Sequence, residues 1–402
     1  MGRNRIPRRD FMRSAVAIGA GAGVMAGTAH GAEAGTAEPA AAIVPRKKLG
    51  KTGAEVPIIL MGGSQKFDPT YDKRLHRAFQ MGCYYIDTAQ SYAGGQSQKT
   101  IAPFMKQVGD RKKLWITSKV RLYDAAATVE NYKKNFDTCL VDLETDYLDM
   151  FFMHMIKDER MLEPEFIKMG DDLKKSGKTK FFGFSCHDGN VVELMNKAAK
   201  VGGIDAIMFR YNFRQYGDVQ LNQAIDACKA AGIGLIAMKT QASVPDDLEK
   251  VVGFTSKNFT LGQAKLKSVW ADERIDAAVS GMNNVQLVQE NCSAAASPMQ
   301  LSMNEFTQLN RLAALTASSH CKGCNHICES KINGKIRIGD AMRYLMYFES
   351  YHEPEMAREL YHALPALERD FDGVDFSEAN RACPQGINIE KRLSAARQYL
   401  LA

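Results

Sequence analysis

Four residues that can carry a charge or move a proton lie in order along the first half of the chain, each at or just beyond the end of a short apolar run. They are Asp87, Tyr92, Lys119 and His154. A lysine that ends a buried strand is costly unless it is paired, and Asp87 is the obvious partner for Lys119. A nearby ammonium lowers the pKa of a phenol, which is ordinarily about 10. These residue types therefore predict a site in which Tyr92 exchanges a proton with a bound molecule.

The elements that must position these residues are strands that alternate with amphipathic helices. Eight apolar runs are predicted strands, at 56–62, 84–88, 114–119, 147–154, 180–185, 206–211, 234–239 and 275–280. Continuously apolar strands are typical of a parallel sheet that is buried on both faces. Their regular alternation with helices over about 250 residues predicts an α/β fold, a (β/α)8 TIM barrel. A doubly wound sheet is the alternative, but no Gly-x-Gly-x-x-Gly segment follows the first strand.

The order and spacing of Asp87, Tyr92, Lys119 and His154, called the tetrad below, resemble the catalytic residues of the aldo/keto reductase family. The resemblance spans roughly residues 46–300. It implies an oxidoreductase that reduces a small carbonyl compound, or oxidises an alcohol, with NADP or NAD as its cofactor. It also implies that Tyr92 is the general acid and that His154 orients the substrate oxygen. The alternative is a structural Asp87–Lys119 ion pair beside two ordinary rim residues.

Further segments match cofactor-binding segments of the same family. Gly183-Phe184-Ser185-Cys186 has a cysteine where the family has an asparagine, and Met208 stands where the family usually has glutamine. The resemblance implies cofactor contacts from Ser185, Cys186, Asn212, Lys239, Ser280, Gly281, Met282, Asn283, Glu290 and Asn291. No arginine or lysine occurs at 281–291 to bind a 2′-phosphate. Lys239 is the substitute cation, and the choice between NADPH and NADH stays open.

Four of the nine cysteines form a separate group near the end of the chain, at Cys321, Cys324, Cys328 and Cys383. Three closely spaced cysteines followed by a distant Cys-Pro resemble the ligand set of a ferredoxin-type 4Fe–4S cluster. The segment 383–389 also resembles the ferredoxin-associated branch of the aldo/keto reductases. A structural zinc site and disulfides are the alternatives. Residues 301–402, called the tail below, are predicted to be a helical appendage around a cluster that is either structural or redox-active.

The first 34 residues are typical of an export signal. Arg8-Arg9-Asp10-Phe11 resembles a twin-arginine motif, and a Gly/Ala-rich apolar stretch and small-residue cleavage sites follow it. That stretch is too short to anchor the chain in a bilayer stably. The export signal therefore predicts a periplasmic location. Residues 35–45 are predicted to be a linker. Of the net charge of +6, +4 lies in the first thirteen residues, so the rest of the chain carries only +2. This weak charge argues against a nucleic-acid partner.

The sequence therefore predicts an exported oxidoreductase with a barrel at 46–300 and a cluster-binding tail at 301–402. Two other functions stay open: a non-catalytic, nicotinamide-binding sensor or partner subunit, and an electron-transfer protein with a structural barrel. The pool of free nicotinamide cofactor is in the cytoplasm. A periplasmic reductase is therefore expected to hold its cofactor tightly and to exchange electrons with a redox partner protein through the cluster.

Overall fold

The computed structural model describes residues 43–241 and 243–402. The predicted twin-arginine signal at 1–34 lies outside these residues, so export and location stay predictions. None of the helices in the described ranges has the length and apolar character that a membrane crossing requires.

An antiparallel hairpin of β1 (Arg46–Lys48) and β2 (Glu55–Pro57) precedes the barrel and closes its amino-terminal end. In the turn of the hairpin, the Lys51 amide donates to the Gly232 carbonyl at 2.7 Å, just before a barrel strand begins. Leu49 and Val56 are fully buried and belong to the same apolar cluster as the barrel interior. The hairpin therefore plugs the barrel at the end opposite to the tetrad.

Eight parallel strands form a closed barrel, which confirms the predicted fold. They are β3 (Ile59–Gly62), β4 (Tyr85–Asp87), β5 (Trp115–Val120), β6 (Leu148–Met153), β7 (Thr179–Cys186), β8 (Ala206–Arg210), β9 (Gly234–Met238) and β10 (Ala277–Ser280). Strand β10 pairs with β3, with Ala278 opposite Ile59, and this pairing completes the ring. A Cβ on Gly183 would lie 1.9 Å from the Ala206 carbonyl oxygen, so only glycine allows β7 to approach β8 this closely.

Helices connect the strands and cover the outside of the barrel. They are α1 (Lys73–Gln80), α2 (Ser97–Val108), α3 (Val129–Asp142), α4 (Pro164–Lys175), α5 (Val191–Val201), α6 (Val219–Ala230), α7 (Asp246–Glu249), α8 (Leu261–Trp270) and α9 (Val285–Ala296). Side-chain caps fix several of their starts. The Asn284 side chain, for example, accepts from the Leu287 amide at the start of α9.

The tail is helical, as predicted. Its helices are α10 (Met303–Leu315), α11 (Asn325–Glu329), α12 (Ile338–Ser350), α13 (Pro354–His362), α14 (Ala366–Arg369), α15 (Ser377–Ala382) and α16 (Ile389–Leu400). Helices α12, α13, α15 and α16 share an apolar core that includes Leu345, Tyr361 and Leu393. Helix α10 packs separately, with Leu309 and Leu312 against Phe213 of the barrel. The tail packs against the carboxyl-terminal end of the barrel, where Arg214 donates to the Ala313 carbonyl at 3.1 Å and the Thr316 hydroxyl at 2.7 Å. The tail therefore covers the end of the barrel that carries the tetrad.

Candidate active site

A hydrogen-bonded chain links three members of the tetrad. The Lys119 ammonium near the end of β5 donates to the Asp87 carboxylate at 2.8 Å and to the Thr88 carbonyl at 2.8 Å. Its third contact is the Tyr92 hydroxyl at 3.3 Å. Strands β4 and β5 are neighbours with Asp87 opposite Thr117, which brings the two charged side chains together. The predicted pairing of Lys119 with Asp87 is confirmed.

The charges of this chain are buried. Lys119 is 1% exposed and Asp87 is 3% exposed. Burial lowers the pKa of Lys119 and raises that of Asp87, and in each case the partner's charge opposes the effect of burial. Removing either partner would destabilise the fold, because the remaining buried charge would be uncompensated.

The pKa of Tyr92 differs from the sequence-based expectation. The Lys119 ammonium was expected to lower it. In the structure burial and the Asp87 carboxylate raise the pKa of Tyr92 well above its usual value, and Arg121 opposes them. The ring keeps some contact with the cavity, but its hydroxyl lies against Lys119. Tyr92 therefore holds its proton at neutral pH, as a proton donor must.

His154 follows β6 and faces the phenol. The two rings meet edge to face, with 5.4 Å between the centroids of Tyr92 and His154. Burial and then the nearby charges of Lys119 and Arg121 lower the pKa of His154 well below its usual value. Its Nδ1 atom is buried and has no hydrogen-bond partner among the described residues. His154 is therefore a neutral imidazole beside the Tyr92 phenol.

The tetrad opens into a cavity of about 360 Å³, called the main cavity below, a size that suits a small-molecule ligand. Its barrel walls include Gly62, Gly63, Tyr92, His154 and Met208, at the carboxyl ends of the strands. The opposite wall comes from the tail.

Four predicted cofactor residues line this cavity: Lys239, Ser280, Gly281 and Asn283. Space is open around Gly281, since a Cβ there would have no neighbour within 4 Å. Ser280 accepts a hydrogen bond from the Asn291 side chain at 3.1 Å, so Asn291 supports the wall from behind. Ser280, Gly281 and Asn283 lie near the amino-terminal end of α9, which favours an anionic group.

The remaining predicted cofactor residues do not line the main cavity. The Ser185 hydroxyl accepts from the Met155 amide at 2.9 Å, and Cys186 is buried with its thiol 3.8 Å from the Asn190 side chain. Asn212 is fully buried and donates to the Lys239 carbonyl at 2.9 Å. Met282 is buried in the barrel's outer core, and the Glu290 carboxylate accepts from Gln286 on the helix surface. Their contacts are with the protein itself.

Sequence reasoning missed the contribution of α12. Tyr344, Tyr347 and Arg343 reach the main cavity from this helix. The Tyr347 hydroxyl accepts a hydrogen bond from the Lys239 ammonium at 2.8 Å, and its ring lies 4.2 Å from that ammonium. The only available signal was the aromatic and basic content of the segment 337–351, which was interpreted simply as a helix.

A buried ionic network attaches α12 to the barrel. The Arg343 guanidinium is hydrogen-bonded to Asp340 and lies 3.4 Å from Asp188 and 3.2 Å from the His187 ring, both in the loop after β7. The Lys157 ammonium lies 3.6 Å from each of the two carboxylates. Asp188 and Asp340 are both nearly fully buried. The network therefore couples the position of α12 to the walls of the main cavity.

The four cysteines of the tail, which are free thiols, line one small cavity of about 20 Å³, called the cysteine cavity below. Most of its other lining is apolar, including Ile327, Ile338 and Ile389. Burial, and after it the Cys321 thiol, raises the pKa of Cys328 to about 12. Within the described residues, no three His, Cys, Asp or Glu side chains converge closely enough to form a ready metal site.

The cysteine cavity lies directly behind one wall of the main cavity. A Cβ on Gly323, between Cys321 and Cys324, would lie 2.9 Å from the carbonyl oxygen of His187. His187 itself lines the main cavity. Arg210, at the end of β8, donates to the Cys321 carbonyl at 2.9 Å. The loop that carries Cys321 and Cys324 therefore packs against the loop that forms part of the main-cavity wall.

Known proteins resemble this chain in sequence and fold. The profile of the aldo/keto reductase family matches residues 60–243. The L-galactose dehydrogenase of Arabidopsis thaliana is 24% identical over 293 residues, which cover 65% of this chain and 91% of that protein. A Bacillus halodurans aldo-keto reductase in its holo form has a TM-score of 0.56 at 20% identity, covering 67% of this chain and 96% of its own. An aldo-keto reductase from Klebsiella pneumoniae in complex with NADPH has a TM-score of 0.52 at 21% identity, covering 67% of this chain and 95% of its own.

The two solved structures support the fold, and the sequence matches support the family. The matched region includes the strand ends that carry Asp87, Tyr92, Lys119 and His154. Over residues 60–243 the sequence therefore resembles the aldo/keto reductases, and the barrel fold and the arrangement of the tetrad are consistent with that resemblance.

Proposed function

We propose that this protein interconverts a carbonyl compound and its alcohol with a nicotinamide cofactor, NADP or NAD. The observation that carries the proposal is the hydrogen-bonded chain from Asp87 through Lys119 to Tyr92, which ends at the main cavity beside His154. A phenol held protonated at the wall of a cavity is suited to general acid catalysis.

The residues have distinct roles in this reaction. A nicotinamide cofactor, when bound, supplies or accepts the hydride. Tyr92 donates its proton to the carbonyl oxygen during reduction, and the Lys119 ammonium stabilises the phenolate that forms. Asp87 holds Lys119 charged and in place. His154, as a neutral ring, orients the substrate oxygen.

The main cavity suits an elongated ligand, because it extends from the tetrad to Ser280 and Asn283 near the start of α9. The structural relative from Klebsiella pneumoniae binds NADPH, which supports the same cofactor class. The nearest arginine to the 280–284 loop is Arg74, whose guanidinium lies 3.4 Å from the Asn283 carbonyl and is already paired with Asp72 at 2.6 Å. Binding of NADPH and NADH to the purified protein, compared side by side, decides between them.

The test of the proposed function is Tyr92→Phe, which removes the proton donor and keeps the ring. We expect carbonyl reduction to fall by about 10²- to 10⁴-fold or more, while nicotinamide binding persists. Tyr84→Phe is the matched control, since its hydroxyl donates to the Glu55 carbonyl at the opposite end of the barrel, at 3.1 Å. Equal turnover in wild type and Tyr92→Phe rejects Tyr92 as the acid.

We also propose that the cysteine cavity holds one 4Fe–4S cluster bound by Cys321, Cys324, Cys328 and Cys383. Support comes from the spacing of the cysteines and from the grouping of all four around one apolar cavity. Iron and acid-labile sulfide in anaerobically purified protein test this proposal, and stoichiometric zinc instead rejects it.

A cluster held by Cys321, Cys324, Cys328 and Cys383 would give the proposed enzyme a second route for electrons. We propose that the chain is exported by the twin-arginine pathway to the periplasm with its cofactor already bound, and that a redox partner protein exchanges electrons through the cluster. The motif at Arg8-Arg9 supports export. The proximity of the two cavities supports the route. Recovery of the protein from the periplasmic fraction, with nicotinamide dinucleotide released on denaturation, tests both.

A further inference from the structure

The main cavity contains a cation that the proposed reaction does not yet use. Arg121 directly follows β5, two residues beyond Lys119, and it lines the cavity. Within residues 43–241 and 243–402 its guanidinium has no carboxylate at ion-pair distance and no side-chain hydrogen-bond partner. Its closest aromatic neighbour is Tyr123, whose ring centroid lies 5.6 Å from the guanidinium carbon.

Arg121 acts on the reacting groups. Burial dominates the pKa of Tyr92 and that of His154, and the charge of Arg121 lowers both. The guanidinium is therefore electrostatically coupled to the proton donor and to the imidazole that faces it. A group bound to Arg121 would lie in the same cavity as Tyr92 and His154.

The other cations beside the main cavity each have a hydrogen-bond partner in the protein. Lys119 is paired with Asp87, and Arg343 is paired with Asp340 and Asp188. Lys239 donates to the Tyr347 hydroxyl.

Two carboxylates of the cavity lining, Glu353 and Glu359, come from the tail near its outer edge, and Glu359 is exposed. Neither lies within 4 Å of Arg121. Among the described residues, the guanidinium next to the tetrad is thus left for a ligand.

We infer that the substrate carries a carboxylate in addition to its reacting carbonyl or alcohol group, and that Arg121 binds this carboxylate. A guanidinium presents a planar pair of N–H donors that matches the two oxygens of a carboxylate. In the reduction of such an oxo acid, hydride adds to the carbonyl carbon and the Tyr92 proton adds to the carbonyl oxygen. The carboxylate bound by Arg121 is unchanged. The inference rests on the proposed function and narrows its substrate to oxo acids and hydroxy acids.

The first experiment compares two aldehydes that differ in one charged group, 4-carboxybenzaldehyde and 4-methylbenzaldehyde. We expect wild-type kcat/KM to favour the carboxylate by about ten- to a hundredfold, the usual strength of a charged hydrogen-bonded pair. Arg121→Met removes this preference, and Arg121→Lys retains part of it. Arg160→Met is the control, because it removes an exposed cation of a nearby loop that does not line the cavity. A preference that survives in Arg121→Met overturns the inference.

The second experiment does not need turnover. Calorimetry measures the binding of benzoate and of benzamide to the full-length protein. We expect benzoate to bind more tightly in wild type and Arg160→Met, and the difference to vanish in Arg121→Met. If this holds without reduction of either aldehyde, the anion site stands and the proposed reaction fails. If both aldehydes are reduced equally well, or if Arg121→Met weakens binding of NADPH or NADH and leaves benzoate binding intact, the inference is overturned.

Discussion

At the scale of single residues, burial decides the charge states of the site. The sequence indicated that Lys119 would be close to Tyr92, and it is, at 3.3 Å between ammonium and hydroxyl. The sequence could not show how completely the protein surrounds the phenol. Desolvation opposes the charged phenolate and outweighs a cation that is itself neutralised by Asp87. The order of the residues and their positions at strand ends predict which side chains meet. Only the packing shows whether desolvation or the nearby ammonium decides the pKa of Tyr92.

These charge states make a prediction about pH. The raised pKa of Tyr92 means that it keeps its proton until the pH exceeds the ordinary phenol value of about 10. The lowered pKa of His154 means that this ring has already lost its extra proton well below neutrality. We therefore expect kcat/KM for reduction to stay flat between about pH 7 and about pH 9. A titration within this range that disappears in His154→Gln would show that the imidazole is charged instead.

Single-residue contacts also show how two of the predicted cofactor residues are held, Ser185 and Asn212. Ser185 and Asn212 have hydrogen-bonding groups of the expected type, but the backbone of neighbouring loops uses them. A sequence motif gives the position of a residue along a strand. It does not give the direction in which the side chain points once the loops have packed.

At the scale of elements, the barrel could be predicted well. Continuously apolar strands and helices with clear caps have strong local patterns, and β4 to β10 all lie within or close to their predicted ranges. The role of α12 could not be predicted from its pattern. Its apolar side packs in the tail core through Leu345, as any amphipathic helix would. The opposite side, with Arg343 and Tyr347, has the composition of a solvated face and instead contacts the barrel.

The attachment of α12 can be tested through Arg343. Arg343→Met removes the guanidinium between Asp188 and Asp340, and Lys157 alone then has to compensate two buried carboxylates. We expect the free energy that holds the tail against the barrel to fall by about 3–5 kcal/mol. Hydrogen exchange should therefore accelerate in α12 and α13, with little change in the barrel strands.

A control variant and a double variant show whether the faster exchange comes from the buried ionic network. Arg392→Met is the control, because it breaks an ion pair with Glu349 inside the tail and leaves the barrel contact in place. Adding Asp340→Asn to Arg343→Met should restore part of the protection, because it removes one of the unpaired carboxylates. Unchanged exchange in α12 of Arg343→Met would show that the network does not hold the tail.

At the scale of the whole molecule, the tail lies outside the region that the family profile matches. The profile covers residues 60–243, and the tail begins at residue 301. The cysteine spacing indicated a bound cluster, and the sequence contained no sign that this segment would also form a wall of the main cavity. Contacts between segments more than 100 residues apart, such as Lys239 with Tyr347 and His187 with Arg343, leave no local pattern in a single sequence.

The dependence of the tail on its cysteines is testable with Cys383→Ser. If the proposed cluster stabilises the tail, iron should fall from about four atoms per chain to near zero, and the tail should lose protection from proteolysis. The barrel should stay folded, since its core is separate from the tail core. Cys228→Ser is the control, because this buried thiol lies on α6, far from the other group, and bonds to the Met195 carbonyl. Full iron content in Cys383→Ser would mean that a different residue is the fourth ligand.

The covering of the main cavity by α12 and α13 has a consequence for the order of biosynthesis. The tetrad belongs to the first half of the chain, whereas Arg343, Tyr347 and Met356 leave the ribosome near the end. Because folding generally starts with the part synthesised first, the barrel can exist with an open site before its cover is made. A molecule can enter that site while the cover is still missing. The helices that fold last then set how quickly it can leave.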